Sequence, residues 1–158
     1  MPGALDGVKI VDLCRDLAGS YACMLLGDMG AEITKVEPVD GDPLRSQPNF
    51  RMWNRGSRSV SIDIHRAEGR KVLELLIAGG DVLVETFLAS EARGLGVDYD
   101  RLRPLNTRLI YCALPPFGES GPLADLPADD GVVSAYAGAV RRSGWRRSAS
   151  HVRLPAAG

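Results

Sequence analysis

Apolar residues recur along the chain at strand-like and helix-like spacings, and they predict alternating strands and helices. The short apolar run Lys9–Leu13 has strand length, and the apolar positions of Leu17–Met29 that follow it have helical spacing. Gly30 is placed to end that helix, and the β-branched segment Ala31–Glu37 predicts a second strand. The chain is therefore expected to open with a β-α-β unit.

The same alternation continues in the middle of the chain. Ser59–Ile64 alternates apolar and polar residues as a half-buried strand does, and Ala67–Ile77 has apolar and charged faces typical of a helix. Further strands are predicted at Asp81–Thr86 and Arg108–Leu114, with a short helix around Ala89–Arg93 between them. This alternation predicts an α/β domain with a Rossmann-like, largely parallel sheet and flanking helices. Binding sites in such domains lie beyond the carboxyl ends of the strands.

The polar segment Pro38–Ser59 interrupts the pattern. It holds three prolines and shows no clear period, which predicts a long surface excursion. Its four arginines could clamp a polyanionic ligand, because guanidinium groups present forked donors to phosphate. The alternative, a solvated loop, is favoured by the residues alone. The arginines are Arg45, Arg51, Arg55 and Arg58.

Two short polar elements are further candidates for chemistry. The turn Asp16–Gly19 places small residues at the start of a predicted helix, where backbone N–H groups attract phosphate. It is not the G-x-G-x-x-G fingerprint, so a tight structural turn is the favoured interpretation. The adjacent acids Asp129 and Asp130 precede a predicted helix over Gly131–Val140, and capping of that helix is favoured over acid–base chemistry.

Composition fits one globular domain, whereas the charge distribution divides the chain. The 158 residues are 45% hydrophobic and 25% charged. All 20 acidic residues lie at or before Asp130, and five arginines with no acid follow it. We interpret residues 1–140 as one domain and residues 141–158 as a basic, disordered tail. A nucleic-acid-binding arm is the less favoured alternative for this tail.

Metal and membrane functions find no support in the sequence. The three cysteines and two histidines have no metal-ligand spacing, so we expect neither a structural metal nor a disulfide framework. No stretch reaches the roughly 18 apolar residues of a membrane span. We therefore expect a cytoplasmic protein without a membrane or nucleic-acid partner.

Five segments, read in order, carry a resemblance to a known family. They are LDGVKIVDLCRDLAGSYACMLLGDMGAEITKVEPVDGDPLR, NRGSRSVSIDIHRAEGR, DVLVETF, GLGVDYDRLRPLNTRLIYCAL and FGESGP. The chain from Leu5 to about Val140 resembles the amino-terminal part of the class III (CaiB/BaiF-type) CoA-transferases. This family includes formyl-CoA and carnitine-CoA transferases and α-methylacyl-CoA racemases. The resemblance implies a fold that is incomplete relative to the family fold, and full-length relatives that are interlocked homodimers. It ends where the arginine-rich segment begins, which gives a frameshifted end as the other interpretation of residues 141–158.

The resemblance also implies that loops at the strand ends bind coenzyme A or an acyl-CoA as a substrate, with no tightly bound cofactor. A contact position in the first turn is matched by Leu17 and Ala18. An L-D-x-K element is matched by Ile62, Asp63, Ile64 and His65, and an Asn-Phe element by Thr86 and Phe87. Arg93 is the neighbour of the position that matches an R-L-G arginine.

Four positions depart from the family pattern. His65 replaces a lysine, Thr86 an asparagine and Gly94 an arginine, and Pro38 stands where some members have an arginine. The resemblance therefore implies weaker phosphate binding.

No catalytic residue is assigned. The resemblance implies a later aspartate, in an A-D-x-x-x-G element, that forms mixed-anhydride and thioester intermediates, and no acid follows Asp130. Asp129 stands where racemases have histidine, which argues against racemisation. We expect a truncated CoA-transferase, inactive alone, whose intact form transfers CoA between carboxylic acids. A non-catalytic CoA-binding or interaction module and an acyl-CoA racemase relative are the alternatives.

Overall fold

The computed structural model describes residues 2–138, which contain a five-stranded sheet in which all neighbouring strands are parallel. The strand order is β3-β2-β1-β4-β5. This confirms the predicted α/β class. The interpretation of residues 141–158 as a basic tail lies outside the described residues. The strands are β1 (Lys9–Asp12), β2 (Glu32–Glu37), β3 (Arg58–Ser61), β4 (Val82–Glu85) and β5 (Ile110–Ala113).

Helices connect the strands and cover both faces of the sheet. The excursion after β2 carries a 3₁₀ turn at Pro43–Ser46 and one short helix, which its aperiodic sequence did not reveal. The predicted strand over Ser59–Ile64 is shorter than expected, because the chain leaves the sheet after Ser61. The helices are α1 (Leu17–Asp28), α2 (Phe50–Trp53), α3 (Ala67–Ala78), α4 (Ala89–Leu95), α5 (Tyr99–Leu102) and α6 (Asp130–Tyr136).

Two apolar cores lie on opposite faces of the sheet. Successive side chains of a strand point to opposite faces, and β1 contributes to both cores. Val11 packs into the larger core with Leu73, Ile77 and residues of the α4–α5 region. Ile10 packs into the smaller core with Cys23 of α1. The sheet is therefore buried on both faces, as a parallel sheet requires.

The chain reverses its direction of winding between β1 and β4. From β1 it proceeds to β2 and β3 on one side, and after β3 it crosses back to β4 and β5 on the other. In open α/β sheets, the connections diverge at such a point and leave a crevice beyond the carboxyl ends of the two strands. The segments that follow β1 and β4 are therefore placed to form a site.

A buried lysine ties the carboxyl ends of β1 and β2 together. The Lys35 Nζ atom lies 2.9 Å from the Asp42 carboxylate and 3.4 Å from the Asp12 carboxylate, and it donates to the Cys14 carbonyl at 3.0 Å. The Lys35 side chain is 1% exposed. Burial alone would lower the pKa of Lys35, but the two carboxylates outweigh it, so this pKa is raised. The charged lysine therefore fixes the chain beyond both strands.

Gly19 allows α1 to approach the sheet closely. A Cβ atom at this position would overlap the Cys14 Sγ atom and stand 2.7 Å from the Thr86 Cγ2 atom. Both neighbours belong to segments that leave the sheet at the β1–β4 reversal. The missing side chain therefore sets the distance between the start of α1 and these segments.

Substitution of Lys35 tests the ion cluster. We expect Lys35→Met to lower the free energy of unfolding by about 3–5 kcal/mol, because Asp12 and Asp42 would remain buried without their counter-charge. Urea denaturation at pH 7 measures the change. The control is Lys71→Met on the exposed side of α3, where we expect a change within about 0.5 kcal/mol. Equal losses in the two variants would contradict the assigned role of Lys35.

Substitution of Gly19 tests the close approach of α1. We expect Gly19→Ala to lower the free energy of unfolding by about 1–3 kcal/mol, because the new methyl group overlaps its neighbours. The control is Gly94→Ala in α4, where a Cβ atom would meet no atom within 4 Å. Alanine is the better helix former, so the control should be neutral or slightly stabilising. Thermal and urea denaturation of both variants measure the difference.

Candidate functional site

A cleft of about 200 Å³ opens at the carboxyl ends of the first four strands. We call it the strand-end cleft. It contains five of the nine residues predicted from the resemblance, and it also contains Pro38, one of the four departing positions. The lining residues are Leu13, Arg15, Val36, Glu37, Pro38, Val39, Asp40, Ile62, Asp63, Ile64, His65 and Phe87.

Arg15 and Phe87 face each other across the reversal point of the sheet. The guanidinium carbon of Arg15 lies 4.5 Å from the centroid of the Phe87 ring, and Arg15 Nη1 lies 3.1 Å from a Glu91 carboxylate oxygen. Phe87 is buried, whereas the Arg15 side chain is 34% exposed. Arg15 was not predicted as a site residue. The sequence did contain a signal for it, because Arg15 lies directly beyond β1, at the edge of the sheet where α/β domains bind ligands.

Glu85 holds Phe87 in position. Its carboxylate accepts hydrogen bonds from the Phe87 backbone N–H at 2.5 Å and from the Tyr111 hydroxyl at 3.0 Å. Burial raises the pKa of Glu85, although both hydrogen bonds favour the charged form. Burial and the adjacent Glu85 likewise raise the pKa of Tyr111. The turn after β4 is thereby fixed from within the fold.

The segment from Ile62 to His65 forms one wall of the strand-end cleft. Ile62 and Ile64 are buried, while His65 is exposed at the rim. The Asp63 carboxylate accepts from the His65 backbone N–H at 3.0 Å and pairs with Arg66 at 3.3 Å. This wall therefore combines buried apolar side chains with an accessible imidazole.

Thr86 does not line the strand-end cleft but joins two turns behind it. Its hydroxyl accepts from the Arg15 backbone N–H at 3.0 Å. Asp16 caps α1 by accepting from the Gly19 N–H at 2.9 Å. Burial raises the pKa of Asp16, and the hydrogen bonds from Gly19 and Thr86 oppose that shift. The tight structural turn, favoured from the sequence, is confirmed by this capping.

Leu17 and Ala18 lie in a second, shallow pocket of about 440 Å³. Tyr21, Trp53 and Asp130 complete its lining. Asp130 begins α6, and Asp129 caps that helix by accepting from the Val132 N–H at 2.9 Å. The predicted capping role is therefore confirmed for Asp129, while Asp130 contributes a carboxylate to the pocket.

Arg93 does not line the strand-end cleft but lies in a third cleft, between α3, α4 and α5. The nine predicted residues are thus divided among three depressions and one partly buried turn. Spacing along the chain could not reveal this division, because it does not show which helices and strand ends become neighbours in the fold.

The arginines of the excursion are largely engaged with acids. Arg45 makes a two-pronged ion pair with Glu37 at 2.7 and 2.8 Å. Arg55 pairs with Asp28, and Arg58 pairs with Glu32 at 2.7 Å. Three of the four guanidinium groups therefore support the structure, which weakens the polyanion-clamp alternative.

A possible metal cluster is also explained by the fold. Within residues 2–138, the group of Asp12, Cys14 and Cys23 brings its ligand atoms within 4.8 Å of one another. The pKa of the Cys14 thiol is raised well above its usual value by the hydrogen bond with Cys23 and by burial. The Lys35 ammonium group pairs with the Asp12 carboxylate at 3.4 Å and donates to the Cys14 carbonyl, so this cluster already holds a cation. Among these same residues, none of the helices has the length and apolarity that crossing a bilayer needs.

Comparison with known proteins relates this chain to a family. The model of CoA-transferase family III matches residues 5–157. Succinyl-CoA:glutarate CoA-transferase of Homo sapiens is 35% identical over 150 residues, a match that covers 89% of this chain and 34% of the relative. Succinate–glutarate CoA-transferase of Agrobacterium fabrum is 36% identical, with 85% of this chain and 38% of the relative covered.

A solved structure agrees with these matches. The crystal structure of a CAIB/BAIF family protein from Brucella suis superposes with a TM-score of 0.81 at 35% identity. The superposition covers 87% of this chain and 40% of that protein. The chain thus spans less than half the length of the relatives it matches. Because the family model covers nearly all of its length and the fold agrees, the chain belongs to CoA-transferase family III.

Proposed function

We propose that this chain supplies the CoA-binding part of a CoA-transferase, with the adenosine end of CoA in the strand-end cleft. The observation that carries the proposal is the gathering of Ile62–His65 and Phe87 in one cleft at the reversal point of the sheet. Ligands of open α/β sheets bind at this point. CoA is a dissociable substrate in this proposal, not a resident cofactor.

The chemistry of the cleft suits a nucleotide. Ile64 and Phe87 offer apolar surface to a base, and Arg15, stacked on Phe87, presents a guanidinium group at the same point. His65 adds a donor at the rim. A cleft with apolar walls and a few polar groups is typical of small-molecule sites.

The neighbouring pocket is placed for the other end of the ligand. Leu17 follows Arg15 by two residues, and the β1–α1 turn lies between them. An extended ligand that starts in the strand-end cleft would pass this turn and reach the pocket of Leu17, Ala18 and Trp53. We assign the thioester end of an acyl-CoA to this pocket.

The family acts on acyl-CoA and carboxylic acids. For the intact form we propose CoA transfer through an aspartyl mixed anhydride and thioester, which requires a nucleophilic carboxylate. The resemblance implies that this carboxylate belongs to an aspartate in a later A-D-x-x-x-G element. Asp130, at the start of α6, is the last acid of this sequence, so no residue matches that aspartate. We therefore propose that the chain alone binds CoA but transfers nothing.

The proposal extends to the setting of the protein. Cys14, Cys23 and Cys112 are all free thiols, as is usual in a reducing compartment. We propose a cytoplasmic location, and for the intact form a homodimer of the interlocked kind that the family resemblance implies.

Binding of CoA tests the first part of the proposal. We expect the 158-residue chain to bind CoA in calorimetry, and Arg15→Gln to weaken binding about tenfold through loss of the stacked guanidinium group. Arg103→Gln, at an exposed position after α5, is the matched control and should bind like the original chain. No measurable CoA binding by the original chain would refute the proposal.

A transfer assay tests the second part. With succinyl-CoA as donor and glutarate as acceptor, we expect no glutaryl-CoA above the level formed in buffer. Product formation would overturn the proposed lack of activity. In that event, Asp130→Asn shows whether Asp130 is the nucleophile, since the amide cannot form the anhydride.

A further inference from the structure

A third cleft, of about 280 Å³, lies between α3, α4 and α5 and is lined by three arginines. We call it the arginine cleft. Arg70 comes from α3, Arg93 from α4 and Arg101 from α5. All three are exposed, whereas the leucines at the base of the cleft are buried. These leucines are Leu73, Leu95 and Leu102.

The guanidinium groups of the arginine cleft have no close counter-ion among residues 2–138. In that part of the chain, no carboxylate oxygen lies within 4.0 Å of a guanidinium nitrogen of Arg70, Arg93 or Arg101. Glu74 and Asp98 also line the cleft, which leaves it with three positive and two negative side chains. The Asp98 carboxylate, however, caps α5 by accepting from the Arg101 backbone N–H at 3.3 Å.

This cleft differs from the arginine-rich excursion in the state of its charges. Arg45, Arg55 and Arg58 of the excursion are paired with Glu37, Asp28 and Glu32. In the arginine cleft, by contrast, three guanidinium groups border one hollow, and none of them has a carboxylate partner within residues 2–138. Forked N–H donors in this arrangement match the oxygens of a phosphate group.

The arginine cleft adjoins the strand-end cleft. Arg70 Nη2 donates to the carbonyl oxygen of His65 at 3.3 Å, and His65 lines the strand-end cleft. α4, which carries Arg93, begins two residues after Phe87. Gly94, which also lines the arginine cleft, leaves open space there, because a Cβ atom at this position would meet nothing within 4 Å. Pro38, His65 and Gly94 stand where the resemblance implies arginine or lysine.

We propose that the arginine cleft binds a phosphate monoester, the 3′-phosphate of CoA. Arg70, Arg93 and Arg101 bind this phosphate. They replace the basic residues that are missing at positions 38, 65 and 94. This assignment rests on the proposed CoA-binding function. Positive charge for phosphate recognition is thereby supplied from α3, α4 and α5 instead of from the strand-end loops.

Calorimetry with CoA, 3′-dephospho-CoA and inorganic phosphate tests the assignment on the full 158-residue chain. We expect the original chain to bind CoA at least about tenfold more tightly than 3′-dephospho-CoA. The double variant Arg70→Gln/Arg101→Gln should reduce that preference to less than about twofold, because the forked donors are lost. The control is Arg103→Gln/Arg108→Gln, which removes equal charge at exposed positions outside the cleft and should keep the preference.

The outcomes separate this proposal from the proposed function. If the original chain binds CoA and 3′-dephospho-CoA equally, or if the arginine-cleft variant keeps the preference, the 3′-phosphate assignment is overturned while CoA binding stands. If neither nucleotide binds, CoA is excluded as the source of the phosphate. In that case, binding of inorganic phosphate by the original chain but not by the arginine-cleft variant supports a phosphate site in the arginine cleft. If phosphate binds neither protein, or binds both equally, the phosphate site is overturned. Equal melting temperatures of the two double variants exclude unfolding as the cause of any difference.

Discussion

The ammonium group of Lys35 lies between the carboxylates of Asp12 and Asp42 in the interior of the domain, and the architecture of the strand ends depends on it. Each charge alone would be costly to bury, since isolated ions lose the solvation that water provides. Together the three charges compensate one another, and the Lys35 ammonium group also donates to the carbonyl of Cys14. The ion cluster therefore connects the end of β1, the end of β2 and the turn beyond it in one arrangement.

The strand-end cleft follows from this arrangement. The cluster fixes the chain after β1, where Arg15 follows Cys14, and Thr86 then binds the Arg15 backbone from the β4 side. The buried Glu85 carboxylate accepts a hydrogen bond from the Phe87 backbone N–H group. Arg15 and Phe87, which face each other at the reversal point, are therefore both held in position by polar groups of the fold. A site whose walls are held from behind in this way is preorganised before any ligand arrives, which lowers the entropic cost of binding.

Charge pairing separates structural arginines from candidate binding arginines. Arg45 is bound to Glu37 through two hydrogen bonds and also stacks on Phe50, so it stabilises the excursion. Arg15 pairs with Glu91 at the surface but keeps its ring contact in the strand-end cleft. Arg70 and Arg101 lack such partners within the described residues and face a hollow. The density of arginine along the sequence therefore does not show which guanidinium groups are paired with acids, whereas the structure does.

The sequence by itself determined the α/β class, most strands and helices, the capping by Asp129 and the family resemblance. These features depend on local spacing or on short motifs, and local spacing reports which face of an element is buried. Only the tertiary structure decided that Ile62–His65 and Phe87 share a cleft with Arg15, that Leu17 and Ala18 lie in another pocket, and that Arg93 joins Arg70 and Arg101. Contacts of this kind depend on strand order and on the burial of paired charges between distant segments, and hydrophobic periodicity carries no information about either.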